Sequence, residues 1–358
     1  MACSPRREPG LERQVTTASA SASASGAAVF PKRKRQKPGP PAPPPPPAVT
    51  PGVPPQLVAC GTGRDFYRIT DEALEVFEVS KKVPPPQVRG SAAAVQVASI
   101  PMAKPLNVIP FAKQGVLVIG TEHVWRYEPG HKSARTHAPI PADRPLVAWV
   151  DPERPGSVWV RTFGEKTIRQ YTATAAPTLV PAPREQALPD FDARLFTVLG
   201  DGSPLYSTPA GLERPGDAAQ AVPLPKLAET ATLLFPDVTP ERYWAADARG
   251  NVGLWDPERG TTPLFSARVP GAVIDVALEG ARVAVLSIEA AGQNYQPTVT
   301  VFSEGRELGR RRVSGTPALH GQPKLDLCLI PGRPWVVVGG TRWMQLVDWE
   351  TPRLLAEW

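Results

Sequence analysis

Residues 243–256 read Tyr-Trp-Ala-Ala-Asp-Ala-Arg-Gly-Asn-Val-Gly-Leu-Trp-Asp: an apolar strand, a turn of small and polar residues, and a second strand that ends in Trp beside Asp. Related units recur at residues 57–71, 116–128 and 335–348. One such unit cannot bury its apolar face alone, so successive copies must pack against each other. The pattern therefore predicts a repeat protein built from short strands.

The spacing of these units indicates the architecture. Successive second strands lie about 40 to 60 residues apart, near the 40 to 45 residues typical of a four-stranded propeller blade. Residues 56–358 contain seven such groups of apolar strands between Gly and Pro turns, and no stretch shows a sustained helical period. We expect an all-β fold, a single β-propeller of seven blades. Six blades with a closing strand are the alternative, because the first group shows only three strands.

The first 55 residues differ in composition from the rest. They hold 14 of the 46 prolines, a Ser-Ala run and a Pro run at residues 40–47, with few branched or aromatic apolar side chains. A segment of this composition cannot bury enough apolar surface to fold. We therefore expect a disordered tail over 1–55, stiffened by polyproline, and a propeller domain over 56–358.

Charge divides at the same boundary. The tail has a formal net charge of +6, which equals that of the whole chain, so residues 56–358 are formally neutral. The tail cations include a cluster formed by Lys32, Arg33, Lys34, Arg35 and Lys37. We expect this cluster to contact a polyanion or an anionic membrane surface, with the Pro run as a spacer. A solvated charge run and a nuclear import signal are the other interpretations, but the Ala-, Pro- and Arg-rich composition is typical of a bacterial source.

The chain has three cysteines, Cys3, Cys60 and Cys328. An odd number without CxxC spacing argues against a disulfide framework and against structural zinc, so Cys60 and Cys328 are expected to be small core residues. No apolar run reaches the roughly 18 to 20 residues of a transmembrane helix, and no signal peptide is visible. A cytoplasmic location is predicted. The alternative is an envelope lipoprotein anchored through Cys3, if the true start codon lies upstream.

No enzyme motif stands out in the sequence. HExxH, GxSxG and phosphate-binding GxxxxGK[ST] patterns are absent. The neighbouring His123, His131 and His137 are predicted to be surface residues rather than metal ligands. Carboxylates recur near strand ends, and in a propeller they can line the central channel and hold a cation. We expect most of them to cap turns or pair with arginines; the candidates are Asp247, Asp256, Asp275, Asp326 and Asp348.

Nine tryptophans all follow residue 120, and most alternate with apolar residues in predicted strands, where packing between blades is their expected use. Trp343 lies beside Arg342 in a predicted turn and is the candidate for an exposed aromatic residue.

Leu254-Trp255-Asp256 and Val347-Asp348-Trp349 resemble the dipeptide that ends the third strand in blades of the WD-repeat family. The resemblance covers residues 57–358 loosely and rests on two or three units. No Gly-His pair precedes the strands, so the buried His-Asp network of that family is not expected. The resemblance implies a general role as a binding platform.

The sequence therefore predicts a non-catalytic protein-binding scaffold, without a cofactor, whose basic arm contacts an anionic surface or partner. One alternative is a propeller hydrolase with a channel metal held by strand-end carboxylates. The other is the envelope lipoprotein anchored through Cys3.

Overall fold

The structure is a computed structural model. It describes residues 56–81, 93–111, 115–120, 124–131, 133–137, 146–150, 157–162, 167–173, 179–187, 195–199, 203–208, 211–214, 220–222, 231–291, 294–313, 324–351 and 353–358. The predicted tail, with its basic cluster and Cys3, lies outside these residues, and so does the predicted boundary at residue 55. No helix in the described ranges is long and apolar enough to cross a membrane.

The described residues form seven four-stranded antiparallel sheets, numbered here in chain order. The strands of sheets 1 to 3 are β1 Val58–Cys60, β2 Asp65–Ile69, β3 Ala73–Val79, β4 Ala94–Pro101, β5 Pro105–Pro110, β6 Val116–Gly120, β7 Val124–Tyr127, β8 Arg135–His137, β9 Leu146–Val150, β10 Ser157–Thr162, β11 Thr167–Ala173 and β12 Leu179–Ala187. Those of sheets 4 and 5 are β13 Phe196–Val198, β14 Pro204–Thr208, β15 Gly211–Arg214, β16 Gln220–Val222, β17 Ala231–Pro236, β18 Tyr243–Asp247, β19 Asn251–Trp255 and β20 Phe265–Arg268. Sheets 6 and 7 contain β21 Ala272–Glu279, β22 Arg282–Ala291, β23 Asn294–Ser303, β24 Arg306–Arg312, β25 Asp326–Leu329, β26 Trp335–Gly339, β27 Met344–Asp348 and β28 Arg353–Glu357.

Each sheet is a simple meander of four consecutive strands, and no strand is exchanged between sheets in the part that the structure describes. The prediction of an all-β propeller is confirmed, with seven blades. The strand missing from the first sequence group is β4. Its Val95 and Val97 side chains are exposed, so the strand lacks the usual alternation of buried apolar and exposed polar residues. The only helical turn in the described ranges is a 3-10 turn over Pro257–Arg259.

The sheets close into a ring through their first strands. Residues of β1 contact β5, and β5 contacts β9; further round the ring β13 contacts β17, β17 contacts β21, β21 contacts β25 and β25 contacts β1. Sheets 3 and 4 are joined through the buried cluster that contains Trp159 and Phe196. Seven buried apolar clusters lie between the sheets, and each joins one sheet to the next, including sheet 7 to sheet 1. The core is therefore divided into seven interfaces.

Aromatic side chains fill these interfaces, as the tryptophan pattern predicts. Trp159, Trp244, Trp255 and Trp335 are all buried on strands. The prediction that Trp343 is an exposed aromatic residue is wrong. Its side chain is 7% exposed and packs in the cluster between sheets 6 and 7. The residue precedes β27, and its ring enters the interface although the backbone there is a turn.

Sheets 1 and 7 meet without a shared strand. The ring of Trp358, at the end of the sequence, lies 4.8 Å from Phe77 and 5.8 Å from Phe66, measured between centroids. Arg68 is buried beneath it, donates to Glu75 at 2.7 Å, and reaches the carbonyl oxygen of Trp358 at 3.4 Å. The last residues of the sequence therefore seal the interface with the first sheet.

A disulfide joins the same two sheets. Cys60 in β1 and Cys328 in β25 are bonded across 268 residues of chain, with their Cα atoms 5.6 Å apart. The sequence-based prediction of two unbonded core cysteines is therefore wrong. Cysteine count and spacing do not show this pairing, because ring closure alone brings the first and last inner strands together.

We predict that this bond stabilises the ring mainly by restricting the unfolded chain. Its loop is long, and disulfides of this kind contribute about 2–4 kcal/mol. The Cys60→Ser/Cys328→Ser variant should unfold at lower urea concentration than the unreduced wild type by about that free energy, and a reductant should not change it further.

The matched control is Cys3→Ser, which should unfold like the wild type with and without reductant. Equal stability of the oxidised wild type and the double variant would contradict the predicted contribution.

Candidate functional site

The inner strands surround a central cavity of about 520 Å³. Its described lining comes from the first strands of sheets 1, 2, 4, 5, 6 and 7 and is mostly apolar, with side chains such as Val58, Ile109, Leu234 and Leu327. Because each first strand is a sheet edge, its backbone groups face this space and require hydrogen-bond partners. Polar side chains in the channel can supply these hydrogen-bond partners.

Asp326 and Asp275 supply such partners between neighbouring sheets. The Oδ2 atom of Asp326 accepts from the backbone N–H groups of Leu57 at 2.6 Å and Val58 at 2.9 Å, which ties sheet 7 to sheet 1. The Oδ2 atom of Asp275 accepts from the N–H of Leu327 at 2.9 Å, which ties sheet 6 to sheet 7. The two carboxyl groups thus link three consecutive inner strands.

The two carboxyl groups also interact with each other. Both are buried, and they are hydrogen-bonded to one another. Loss of hydration raises the pKa of Asp275 well above its ordinary value, and the neighbouring charge of Asp326 raises it further. Burial also raises the pKa of Asp326. Two adjacent buried carboxylates would repel each other. The pair is therefore expected to hold one proton between its two carboxyl groups.

The other strand-end carboxylates lie apart from this pair. Asp247 accepts from the N–H groups of Arg249 and Asn251 in a turn, at 2.8 and 2.9 Å. Asp348 accepts in the same way from Glu350 and Thr351, both at 3.0 Å.

Asp256 lies 3.5 Å from the Nε atom of Arg242. Three of the five candidates therefore cap turns or pair with arginine, as predicted, and only Asp275 and Asp326 come together. Within the described ranges, no three His, Cys, Asp or Glu side chains are grouped as metal ligands.

A second concavity opens between sheets 5 and 6. It has a volume of about 320 Å³ and is bordered by the turns β17–β18, β21–β22 and β23–β24. Trp244, Phe265 and Phe302 form its aromatic wall through edge contacts of 5.7 and 5.5 Å between ring centroids. The indole N–H of Trp244 donates to Asp237 Oδ1 at 2.9 Å, which fixes the ring. We call this concavity the face groove.

The rim of the face groove is exposed and has unusual backbone geometry. Val238 on the rim is 60% exposed, the largest exposure among the large apolar side chains of the described residues. Glu304 lies in a two-residue hairpin turn with φ of 48°, and Glu241 in the β17–β18 turn has φ of 73°. Left-handed backbone is unfavourable for Glu, and such strain is concentrated at functional sites. No ion-pair partner of either glutamate is found among the described residues.

Several predicted site residues lie elsewhere. The basic cluster and Cys3 are outside the described residues, as is His123. His131 is half-exposed on its side chain, with Nε2 3.7 Å from Glu128. The face groove itself was missed by the sequence reasoning, and the signal available for it is Glu304 before Gly305, where a turn of this type favours Asn or Gly.

The Trp255-Asp256 and Asp348-Trp349 dipeptides occupy the predicted position, at the ends of the third strands β19 and β27. Comparison with known proteins gives no protein-family profile that matches the chain and no curated protein with significant similarity. Membership of the WD-repeat family therefore stays a prediction.

Solved structures are similar in fold. Hsv2 of Kluyveromyces marxianus has a TM-score of 0.52 and 13% identity over 79% of this chain and 88% of that chain. Hsv2p of Kluyveromyces lactis has a TM-score of 0.51 and 10% identity over 85% and 98%. A K. lactis Hsv2 variant with loop 6CD replaced by a Gly-Ser linker has a TM-score of 0.53 and 9% identity over 85% and 98%. At this identity the likeness shows the fold alone.

The acid pair predicts that the stability difference between the wild type and Asp275→Asn depends on pH. Below about pH 4 the carboxyl of Asp275 is protonated in both folded and unfolded chains. Above that, the unfolded chain loses the proton while the folded chain keeps it, so the stability from this proton is lost as pH rises through the raised folded pKa. Asp275→Asn removes this titration. In urea melts, the free energy of unfolding of the variant minus that of the wild type should therefore increase as pH rises from 4 to 8.

Asp326→Asn is the matched variant, because removing either carboxyl leaves the other without a charged neighbour; it should shift in the same direction. Wild-type and Asp275→Asn curves that stay parallel across this pH range would contradict the shared proton.

Proposed function

We propose that the protein is a non-catalytic scaffold whose propeller binds a protein partner at the face groove. The observation that carries this proposal is the groove itself, an aromatic-walled concavity with an exposed valine at its rim. Protein interfaces centre on apolar anchors in such pockets, surrounded by a polar rim. The face groove has both parts within one interface between two blades.

The chemistry of the groove indicates the kind of partner. An apolar side chain fits between Trp244, Phe265 and Phe302. Glu304 also lines the groove and has no ion-pair partner among the described residues, so its carboxylate favours a cation beside that side chain. A partner segment with an apolar anchor next to Lys or Arg meets both conditions. The strain of the left-handed backbone at Glu304 is offset by the rest of the fold.

The channel supports this function better than the hydrolase alternative. Asp275 and Asp326 accept backbone N–H groups from neighbouring strands, so their oxygens hold the ring together. The remaining strand-end carboxylates lie in turns. The structural role of these residues accounts for their position without a reaction.

The basic cluster Lys32, Arg33, Lys34, Arg35 and Lys37 supplies the second part of the proposed function. Five cations in six residues attract an anionic membrane or another polyanion. The arm would then hold the neutral propeller near that surface.

The disulfide is relevant to the cellular compartment of the protein. Disulfides persist in oxidising compartments and are rare in the cytosol. The bond between Cys60 and Cys328 therefore favours the envelope alternative over the cytoplasmic one. We propose an extracytoplasmic location, and Cys3 is the candidate for lipid attachment. Rapid alkylation of free thiols in intact cells tests this, since Cys60 and Cys328 should resist labelling until a reductant is added.

The groove proposal predicts the effect of Val238→Glu. The substitution removes an apolar contact at the rim and introduces a charge that must lose hydration on binding, so capture of a specific partner should weaken about tenfold or more, which corresponds to about 1.4 kcal/mol or more. The measurement is quantitative affinity capture with the full chain, followed by titration of the identified partner. Stability should change by less than about 0.5 kcal/mol, because the side chain is exposed.

Leu308→Glu is the matched control, since Leu308 is 43% exposed but lies on the outer strand β24. It should bind the partner like the wild type. Equal loss in both variants, or no loss in Val238→Glu, would rule out the face groove as the docking site.

The arm proposal predicts salt-sensitive membrane binding. Changing all five cluster cations to Gln should reduce cosedimentation with phosphatidylserine vesicles to the level of neutral phosphatidylcholine vesicles. Raising salt should do the same to the wild type, because screening shortens the range of charge attraction. Binding that survives the five substitutions would show that another surface is responsible.

A further inference from the structure

The fourth strand of each sheet lies at the outer rim of the ring and exposes one edge. Proteins protect such edges with short strands, proline or charge. Six of the seven outer strands follow this rule. β8 and β16 have three residues each, β12 contains Pro181 and Pro183, and β20, β24 and β28 carry charged residues.

β4 is the exception. Its eight residues, Ala-Val-Gln-Val-Ala-Ser-Ile-Pro, contain no charge, and proline occurs only at the last position. Val95 is 51% and Val97 is 52% exposed, so β4 carries two of the five large apolar side chains that are exposed among the described residues. No other outer strand in the described part combines this length with this composition.

The backbone of β4 is paired on one side only. It bonds β3 from Ala94 to Pro101, with a bulge near Val97, and no described strand follows on its other side. The bulge does not distinguish it, because β24 and β28 are also bulged. β4 therefore offers a row of free N–H and C=O groups beside exposed valines, which is the arrangement that accepts another strand.

We propose that β4 pairs antiparallel with β4 of a second copy of this chain, which joins two propellers about a two-fold axis. A two-fold interface sets the same surface against itself, so the surface must be self-compatible. An uncharged strand places no like charges opposite each other in any antiparallel register, whereas the same pairing of β24 would oppose Arg306 and Arg312. Val95 and Val97 of both copies would leave water together.

The contact is small. Eight residues extend about 27 Å at 3.4 Å each. One strand per copy buries less than the roughly 1,200 Å² of a standard interface. The dimer should therefore be weak and form in the micromolar range or above.

Sedimentation equilibrium of the full chain over a wide concentration range tests the proposal. The wild type should move from monomer to dimer as concentration rises, and Val95→Lys/Val97→Lys should remain monomeric with an unchanged melting temperature. Gln96→Glu is the milder variant: it should weaken the dimer at low salt and recover at high salt, because screening relieves the repulsion between copies.

Leu354→Lys is the matched control, since Leu354 is an exposed apolar residue on the outer strand β28. It should dimerise like the wild type. A wild type that stays monomeric at all concentrations, a dimer that persists in Val95→Lys/Val97→Lys, or equal loss in Leu354→Lys would overturn the proposal. None of these outcomes depends on the face groove, which Val238→Glu tests separately.

Discussion

The fold depends on closing the interface between sheets 7 and 1. Each of the other six interfaces joins sheets that follow each other along the chain, but this one joins strands 268 residues apart. Bringing such distant segments together has an entropic cost that local contacts do not offset. Among the described residues no strand is shared between the two sheets, and the closing contacts run through side chains.

Three kinds of interaction meet this requirement. Cys60–Cys328 gives a covalent connection, Asp326 binds the backbone of Leu57 and Val58, and Trp358 packs on the aromatic rings of sheet 1. The carboxylate needs a buried position to reach those backbone groups, and the burial of an acid pair is the cost of that position. The polar residues of the channel are therefore explained by closure rather than by chemistry. The surface is then left for function, and the turns beside Trp244 and Phe302 contain two of the three non-glycine residues with positive φ among the described residues.

The sequence was sufficient for the architecture because strand periodicity and turn residues are local signals. Residues 243–256 and 335–348 predict a repeating strand pair, and the spacing predicts blades. The pairing of Cys60 with Cys328, the contact of Asp275 with Asp326 and the burial of Trp343 all depend on which blades become neighbours, which local patterns do not show. β4 was missed for a different reason, since its exposed valines and bulge interrupt the alternation that identifies a strand. Local patterns do not show the face groove either, because its walls come from two blades and its rim from three separate turns.

Peptide mapping of the unreduced protein by mass spectrometry tests the closure most directly. The ring predicts one linked peptide pair that contains Cys60 and Cys328, with Cys3 outside that bond. Recovery of Cys60 and Cys328 as separate thiol peptides from protein purified under oxidising conditions, or of either one linked to Cys3, would contradict the covalent closure between sheets 7 and 1.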